Sequence, residues 1–328
     1  MPIVSDESPL FLTKNARGAY TVIKKGLKKK KRLVILLTLL FAFNLFAESN
    51  SEKFWNLWNS DNYEEAEELL QNWEKKNKKD PELYVCYFNM YLMNASNEQM
   101  HVESFLPENF KGQYMEGQNE NGDKIYIYSI IEYDDDLCKK AFEYIDKGLS
   151  YNPKRLDMYF GKAHLYFLRE EFPKQADIIK NVLTLNKKYK DSWLWSNNEP
   201  IKSANVGFTQ SIHEYILKWY NTKNPSTFPL MKEISLIYAE QYPADVIALN
   251  DAGLSALLTD DLETARIYFQ KGYELDPSDM VLLGNLAHVC FNLGEIEASY
   301  NYYKIMAASE DPDTSEYAKN RLSTYFSE

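Results

Sequence analysis

Apolar residues recur three or four positions apart along most of residues 51–326, which is the spacing of one face of an α-helix. In the stretch VIALNDAGLSALLTD (246–260), for example, Leu249, Ala252 and Ala256 share one helical face. The last amphipathic segment, 312–326, is typical of a helix that closes the end of a helical stack. The pattern predicts six antiparallel pairs, 51–59 with 62–77, 81–94 with 134–150, 154–169 with 171–186, 207–221 with 227–241, 244–258 with 261–275 and 278–292 with 294–308, and a closing helix at 312–326.

A short phrase occurs twice in the chain, as DKGLSYNP (146–153) and as QKGYELDP (270–277). Positions equivalent to the glycine of this phrase fall at 73, 148, 182, 238, 272 and 306. Three of the five intervals between them are 34 residues long. The other two intervals, of 75 and 56 residues, are longer than one period and indicate insertions. A unit of this length suits two antiparallel helices with two short turns.

The repeated unit resembles the tetratricopeptide repeat (TPR). The residues that match best are Gly253, Ala265, Phe269, Gly272 and Pro277. The resemblance covers most of the helical region, although its middle is degenerate. It implies an all-α solenoid of about six helix pairs that binds peptides or partner proteins, and it implies no reaction.

Two insertions interrupt the repeats, at about 95–133 and 190–206. In the first, alternating Ile and Tyr after Asn121-Gly122 predict a small β-hairpin packed over one end of the groove. Its NENGD stretch lacks the acidic residues that open and close a calcium loop, so calcium is not expected. In the second, Trp193 and Trp195 form either a wedge between two parts of the array or an aromatic shelf that faces a ligand.

In proteins of the resembled family the first helix of each pair lines the concave surface. Lys and Arg are absent from the stripe that this orientation places there, so we do not expect it to clamp a carboxylate. The stripe suits an extended or helical partner segment with apolar anchors, unless it is buried as ordinary core. The predicted groove residues are Trp55, Trp58, Asn89, Phe160, His164, Phe167, Asn250, Leu254, His288 and Phe291, with Val85, Leu92, Leu257 and Gly284 between them.

The N-terminus predicts export. A basic run, KKGLKKKKR (24–32), precedes the apolar segment 33–47, as in a bacterial signal peptide cleaved after Ala47. A short uncleaved membrane anchor is the alternative, and residues 1–26 are interpreted as a misassigned start. The protein is expected in the periplasm or the cell envelope.

The remaining chain is strongly acidic. Residues 1–47 carry nine Lys or Arg and two Asp or Glu, a net charge of +7. Because the whole chain has a net charge of −11, residues 48–328 carry −18. Phosphate backbones repel such a chain, and we therefore expect a protein or peptide partner and no nucleic acid.

The sequence carries no catalytic signature. The four His form no metal-binding pair, and there is no Gly-rich phosphate loop or nucleophile elbow. The acidic run YDDD (133–136) complements the start of a helix, and the three Cys are expected to be buried without a disulfide. We therefore predict a binding scaffold that is not an enzyme and uses no cofactor. A self-associating envelope adaptor and an enzyme with its site in the insertions are the alternatives.

Overall fold

A computed structural model describes residues 48–326 except 109, 111, 191 and 202–206. The predicted signal peptide therefore lies outside the described residues. The all-α solenoid is confirmed, and every predicted helix is found with its ends within three residues of the prediction. In the described part the helices are α1 (Asn50–Trp58), α2 (Tyr63–Lys76), α3 (Pro81–Ala95), α4 (Asp135–Tyr151), α5 (Leu156–Leu168), α6 (Phe172–Tyr189), α7 (Phe208–Thr222), α8 (Phe228–Gln241), α9 (Val246–Leu258), α10 (Leu262–Leu275), α11 (Met280–Asn292), α12 (Ile296–Ala307) and α13 (Pro312–Phe326).

Aspartate side chains begin many of these helices, and they repeat with the period of the sequence. Asp245 Oδ1 accepts hydrogen bonds from the backbone N–H groups of Ile247 and Ala248 at the start of α9. Asp279, 34 residues later, caps α11 in the same way. Asp134 accepts from the Leu137 N–H at the start of α4, so the acidic run there acts as a cap, as expected.

Small residues allow the two helices of a pair to approach closely. A Cβ added at Gly253 of α9 would lie 2.5 Å from the ring of Phe269 on α10. Ser299, which stands where the repeat usually has alanine, is fully buried and donates to the Ala287 carbonyl at 2.7 Å. The phase assigned to the repeats from the sequence therefore agrees with the packing at these positions.

The first helices of successive pairs touch one another in a continuous row. We call the surface of α1, α3, α5, α7, α9 and α11 the first-helix face. The contacts that join the row are Ser51 with Cys86 (3.7 Å), Glu82 with Arg155 (2.7 Å), Tyr215 with the Phe160 carbonyl (3.1 Å), His213 with Asp251 (2.9 Å) and Asn250 with Asn285 (3.2 Å).

The second insertion is a structural wedge. Trp193 is fully buried, and its indole N–H donates to Asn186 Oδ1 at 2.8 Å. Its ring packs against Tyr159 and Phe208 from α5 and α7. Trp195 is half-buried against the same core. The wedge interpretation is confirmed for Trp193, and a ligand-facing role for that ring is wrong.

A buried arginine ties this wedge to two first helices. The guanidinium of Arg155 has no exposed surface, and it donates from Nε and Nη2 to the two carboxylate oxygens of Asp157 at 2.9 and 2.7 Å. Its Nη1 lies 2.7 Å from Glu82 of α3, and the same carboxylate accepts from the Asn197 N–H at 2.6 Å. Because each charge has partners, the burial of this cluster is compensated. No pattern in the sequence indicated this role for Arg155.

The first insertion is a three-stranded antiparallel sheet. Its strands are β1 (Ser96–Glu103), β2 (Tyr114–Gln118) and β3 (Lys124–Tyr133), with β3 in the centre. The predicted hairpin of β2 and β3 is present, and Asn119 Oδ1 accepts from the Asn121 and Asp123 N–H groups at its turn. The sheet has one strand more than the predicted hairpin, because β1 continues directly from α3 and pairs with the other side of β3. The sheet contacts the helices chiefly at α3.

Candidate partner-binding face

The predicted tryptophans at the N-terminal end of the first-helix face are half-buried. Trp58 packs against Phe54, and its ring lies 4.7 Å from that of Tyr63. Asn89 is also half-buried, and its Nδ2 donates to the Val85 carbonyl of its own helix at 2.8 Å. These side chains therefore contribute only part of their surface to the face.

Phe160 is a core residue, and its assignment to an exposed groove was wrong. The side chain is 6% exposed, with its ring 5.2 Å from Tyr215 of α7 and 6.2 Å from Trp195 of the wedge. The helix and the insertion that cover it come together only in the folded chain. Phe167, two turns further along α5, is half-buried against Phe172.

The C-terminal end of the predicted groove is shared with the closing helix. The ring of Phe291 stacks on Tyr325 of α13 at 4.1 Å and lies 5.8 Å from Phe326. His288 Nε2 lies 3.1 Å from the Asn292 amide, and burial together with the charge of Arg321 lowers the pKa of His288. Because α13 covers Phe291, this end of the row is less accessible than the sequence suggested.

Between these ends, α9 supplies Asn250 and Leu254. Asn250 Oδ1 accepts from Asn285 Nδ2 of α11 at 3.2 Å, so this amide pair links two first helices. Leu254 is half-buried at the edge of the core formed by α9, α10 and α11. The structure thus brings Asn250 and Leu254 onto one helix of the face, as predicted from their spacing.

The groove residues predicted from the sequence include none from α7, although polar side chains of α7 lie in the middle of the face. His213, Glu214 and Lys218 are half-buried there, and the expectation that no Lys belongs to the face was wrong. The bounds of α7 were predicted within one residue, so the omission concerns the choice of helix face and not the position of the helix. Counting from the buried stripe of α7 itself would have identified the opposite polar residues.

Lys218 is a partly desolvated cation beside an uncharged histidine. Burial lowers the pKa of Lys218, and burial together with the Lys218 charge lowers the pKa of His164 to about 4. The Lys218 ammonium lies 5.3 Å from the centre of the Tyr215 ring. Among the described residues, no carboxylate is within ion-pair distance of it. Near neutral pH the His164 imidazole beside Lys218 is therefore uncharged.

The neighbouring His213 is held by a buried carboxylate of the next first helix. Its Nδ1 lies 2.9 and 3.1 Å from the two oxygens of Asp251, which is 3% exposed. The hydrogen bond with Asp251 raises the pKa of His213, and burial raises the pKa of Asp251. The pair joins α7 to α9 and fixes the position of the α7 side chains. Burial also raises the pKa of Glu214.

This arrangement is suited to recognition. Leu217, which precedes Lys218 in the chain on α7, is 39% exposed, and Leu254 on α9 is half-buried, so both helices offer apolar surface. Within the described ranges, no cluster of three or more His, Cys, Asp or Glu is placed to hold a metal ion. A cation that is partly removed from water attracts an anionic or carbonyl oxygen, while the leucines accept apolar side chains.

No helix in the described part of the chain is long and apolar enough to cross a membrane.

No family model matches the chain, and no curated protein matches it. Among solved structures, it is similar to YrrB, described as a TPR protein with an unusual peptide-binding site (14% identity, TM-score 0.37, 76% of this chain and 97% of that one). It is also similar to the C-terminal part of a TPR repeat-containing protein from Cytophaga hutchinsonii (12% identity, TM-score 0.42, covering 84% and 87%). A third is PilW, a type IV pilus biogenesis factor (13% identity, TM-score 0.34, covering 82% and 96%). These scores are low, and the architecture described above rests on the helix pairing of this chain.

Proposed function

We propose that this protein is an interaction scaffold that holds an extended or helical segment of a partner protein on its first-helix face, between α5 and α9. The observation that carries the proposal is the half-buried Lys218, whose ammonium lies 5.3 Å from the centre of the Tyr215 ring and has no ion-pair partner among the described residues, beside the half-buried His164. Perturbed titratable groups of this kind concentrate at functional sites. The proposed role is binding rather than catalysis, and it requires no cofactor.

The chemistry of the face defines the segment that would fit. An apolar residue would contact Leu217 and Leu254, and a carboxylate or carbonyl oxygen would accept a hydrogen bond from Lys218. A strongly acidic segment is disfavoured, because residues 48–328 carry a net charge of −18. The same charge disfavours nucleic acid, so we propose a partner protein with few acidic residues.

Site-specific photo-crosslinking in the native cell tests this proposal. A photoreactive amino acid at Leu217 should capture a discrete partner, identified by mass spectrometry. The same amino acid at Ile267 of α10 is the matched control, because Ile267 is 44% exposed and lies on a second helix, outside the first-helix face. Capture at Ile267 equal to that at Leu217, or no capture at Leu217, would contradict the assignment of the face.

The contribution of the cation is tested with the captured partner. Lys218→Met keeps most of the apolar side-chain stem and removes the charge. We expect the partner affinity to fall roughly tenfold, the loss of one charge-assisted hydrogen bond, with the unfolding midpoint unchanged. An unchanged affinity would remove Lys218 from the binding site even if crosslinking at Leu217 succeeds.

We further propose that the protein is exported and works in the periplasm or cell envelope. The support is the basic run followed by the apolar segment 33–47. The intact mass of protein from native cells should correspond to a chain that begins at Glu48. A mass that retains the apolar segment would indicate an uncleaved anchor instead.

A further inference from the structure

The outer edge of β1 is an open strand edge. β1 is the terminal strand of the sheet, and it pairs with β3 one residue to one residue, from Ser96 opposite Tyr133 to Glu103 opposite Tyr126, without a bulge. Within the described residues no other strand pairs with it. Half of its backbone N–H and C=O groups therefore point away from β3, as in any edge strand.

This edge lacks most of the features by which proteins usually prevent strand addition, and its only charged side chains are Glu98 and Glu103. Protected edges are short, bulged, covered, or carry Lys or Pro. β1 has eight residues, SNEQMHVE, with neither Lys nor Pro. The other edge strand, β2, has only five residues and contains Gly117. Of the two edges, β1 is the better template for another strand.

One face of the sheet beside this edge is uncovered and mainly apolar, with Glu98 as the charged side chain that β1 contributes to it. Met100 and Val102 of β1 are 76% and 57% exposed, and Met115 of β2 on the same face is 65% exposed. The opposite face is covered near its centre, where Phe110 packs 4.8 Å from Tyr128. An added strand would therefore place its apolar side chains beside Met100 and Val102.

The negative charge of the sheet region favours a basic partner strand. Residues 96–133 contain seven Asp or Glu and two Lys. On the face opposite Met100, Glu103 and Glu132 lie on β1 and β3. Two copies of this chain, each with a net charge of −18 over residues 48–328, would repel each other at such an edge. A basic strand would be attracted to it.

We propose that the outer edge of β1 accepts, as a fourth strand, an extended segment of a partner protein in which apolar residues alternate with Lys or Arg. Because side chains alternate between the two faces of a sheet, one set would extend the face of Met100 and Val102 and the other would approach Glu103 on β1. This site is independent of the proposed first-helix face and uses different residues.

Synthetic peptides as long as β1 test the proposal. A fluorescent peptide of alternating Val and Lys should bind the purified protein, measured by anisotropy, roughly tenfold more tightly than one of alternating Val and Glu. Raising the salt concentration should weaken its binding. N-methylation of alternate backbone amides, which removes hydrogen-bond donors without changing charge, should abolish binding. Hydrogen exchange should show new protection at residues 96–103.

Three variants locate the binding edge. The double variant Met100→Lys with Val102→Lys places positive charge on exposed β1 positions and should weaken the Val/Lys peptide roughly tenfold. Met115→Lys adds one positive charge to the same face but on β2, and it should leave the affinity within about twofold. Its control matched in charge is the single variant Met100→Lys, which should weaken binding of the peptide by more than this. Unfolding midpoints of all variants should agree, because the substituted side chains are exposed.

Four results would overturn the proposal. An equal loss of affinity in Met115→Lys and Met100→Lys would show that the apolar face, and not the β1 edge, binds the peptide. Binding of the N-methylated peptide, or absence of protection at residues 96–103, would show that no strand is added. A concentration-dependent dimer, abolished by the double variant, would show that a second copy occupies the edge.

Discussion

Two helix contacts of different closeness predict opposite effects for two glycine-to-alanine substitutions. Gly148 of α4 and Gly161 of α5 are both buried and both face α3. A Cβ at Gly148 would lie 2.6 Å from the Cβ of Tyr84, whereas a Cβ at Gly161 would lie 3.4 Å from the ring of Phe88. The first distance is a severe overlap, and the second is an ordinary contact.

The expected change in the free energy of unfolding is the sum of two opposing contributions. Replacing glycine by alanine inside a helix stabilises it by about 0.5–1 kcal/mol. At Gly148 the overlap is with an atom next to the backbone, and the Tyr84 hydroxyl is held by the Lys78 carbonyl at 2.6 Å. Relief requires α3 and α4 to separate by about 1 Å to reach normal contact distance, and such overpacking costs about 1–3 kcal/mol.

We therefore expect Gly148→Ala to destabilise the protein by about 0.5–2 kcal/mol and Gly161→Ala to stabilise it by up to about 1 kcal/mol. The measurement is urea unfolding of both variants and the parent, followed by helical circular dichroism. Because repeat arrays can unfold in more than one step, the midpoints are compared with the same probe. A shift of both variants in the same direction would refute the packing argument.

Three further predictions concern single side chains. Phe160→Ala should destabilise the protein by about 3–5 kcal/mol in thermal or urea unfolding, and the half-buried Phe167→Ala clearly less; equal losses would contradict the corrected burial. Trp193→Ala should cost about 3–5 kcal/mol as well, because it empties the wedge, and near-wild-type stability would show that the wedge is dispensable. The raised pKa of His213 stabilises the folded state below about pH 6.5, and this contribution is lost as the pH rises through the raised value. Between about pH 6 and about pH 8 the stability advantage of the parent over His213→Gln should therefore shrink. A constant difference would show that the pair with Asp251 does not titrate.

The sequence alone determined the helices and their repetition. Helix-forming periodicity, capping aspartates and close-packing glycines are local features, readable within one or two turns. The 34-residue spacing then follows because each unit packs mainly on its neighbours. For the same reason the β2–β3 hairpin was found, since its turn and alternation lie within one short segment.

The tertiary structure decided which side chains are accessible. Phe160 is buried because α7 and the wedge, distant in sequence, pack over it, and Phe291 is covered by the closing helix. β1 has no apolar alternation of its own along most of its length, and it became a strand because β3 supplies its hydrogen-bond partners. Lys218 lies on the face because α7 packs between α5 and α9, through Tyr215 and His213. Periodicity fixes which residues share a helix face, but only the packing of distant segments determines which of those faces stays in contact with water.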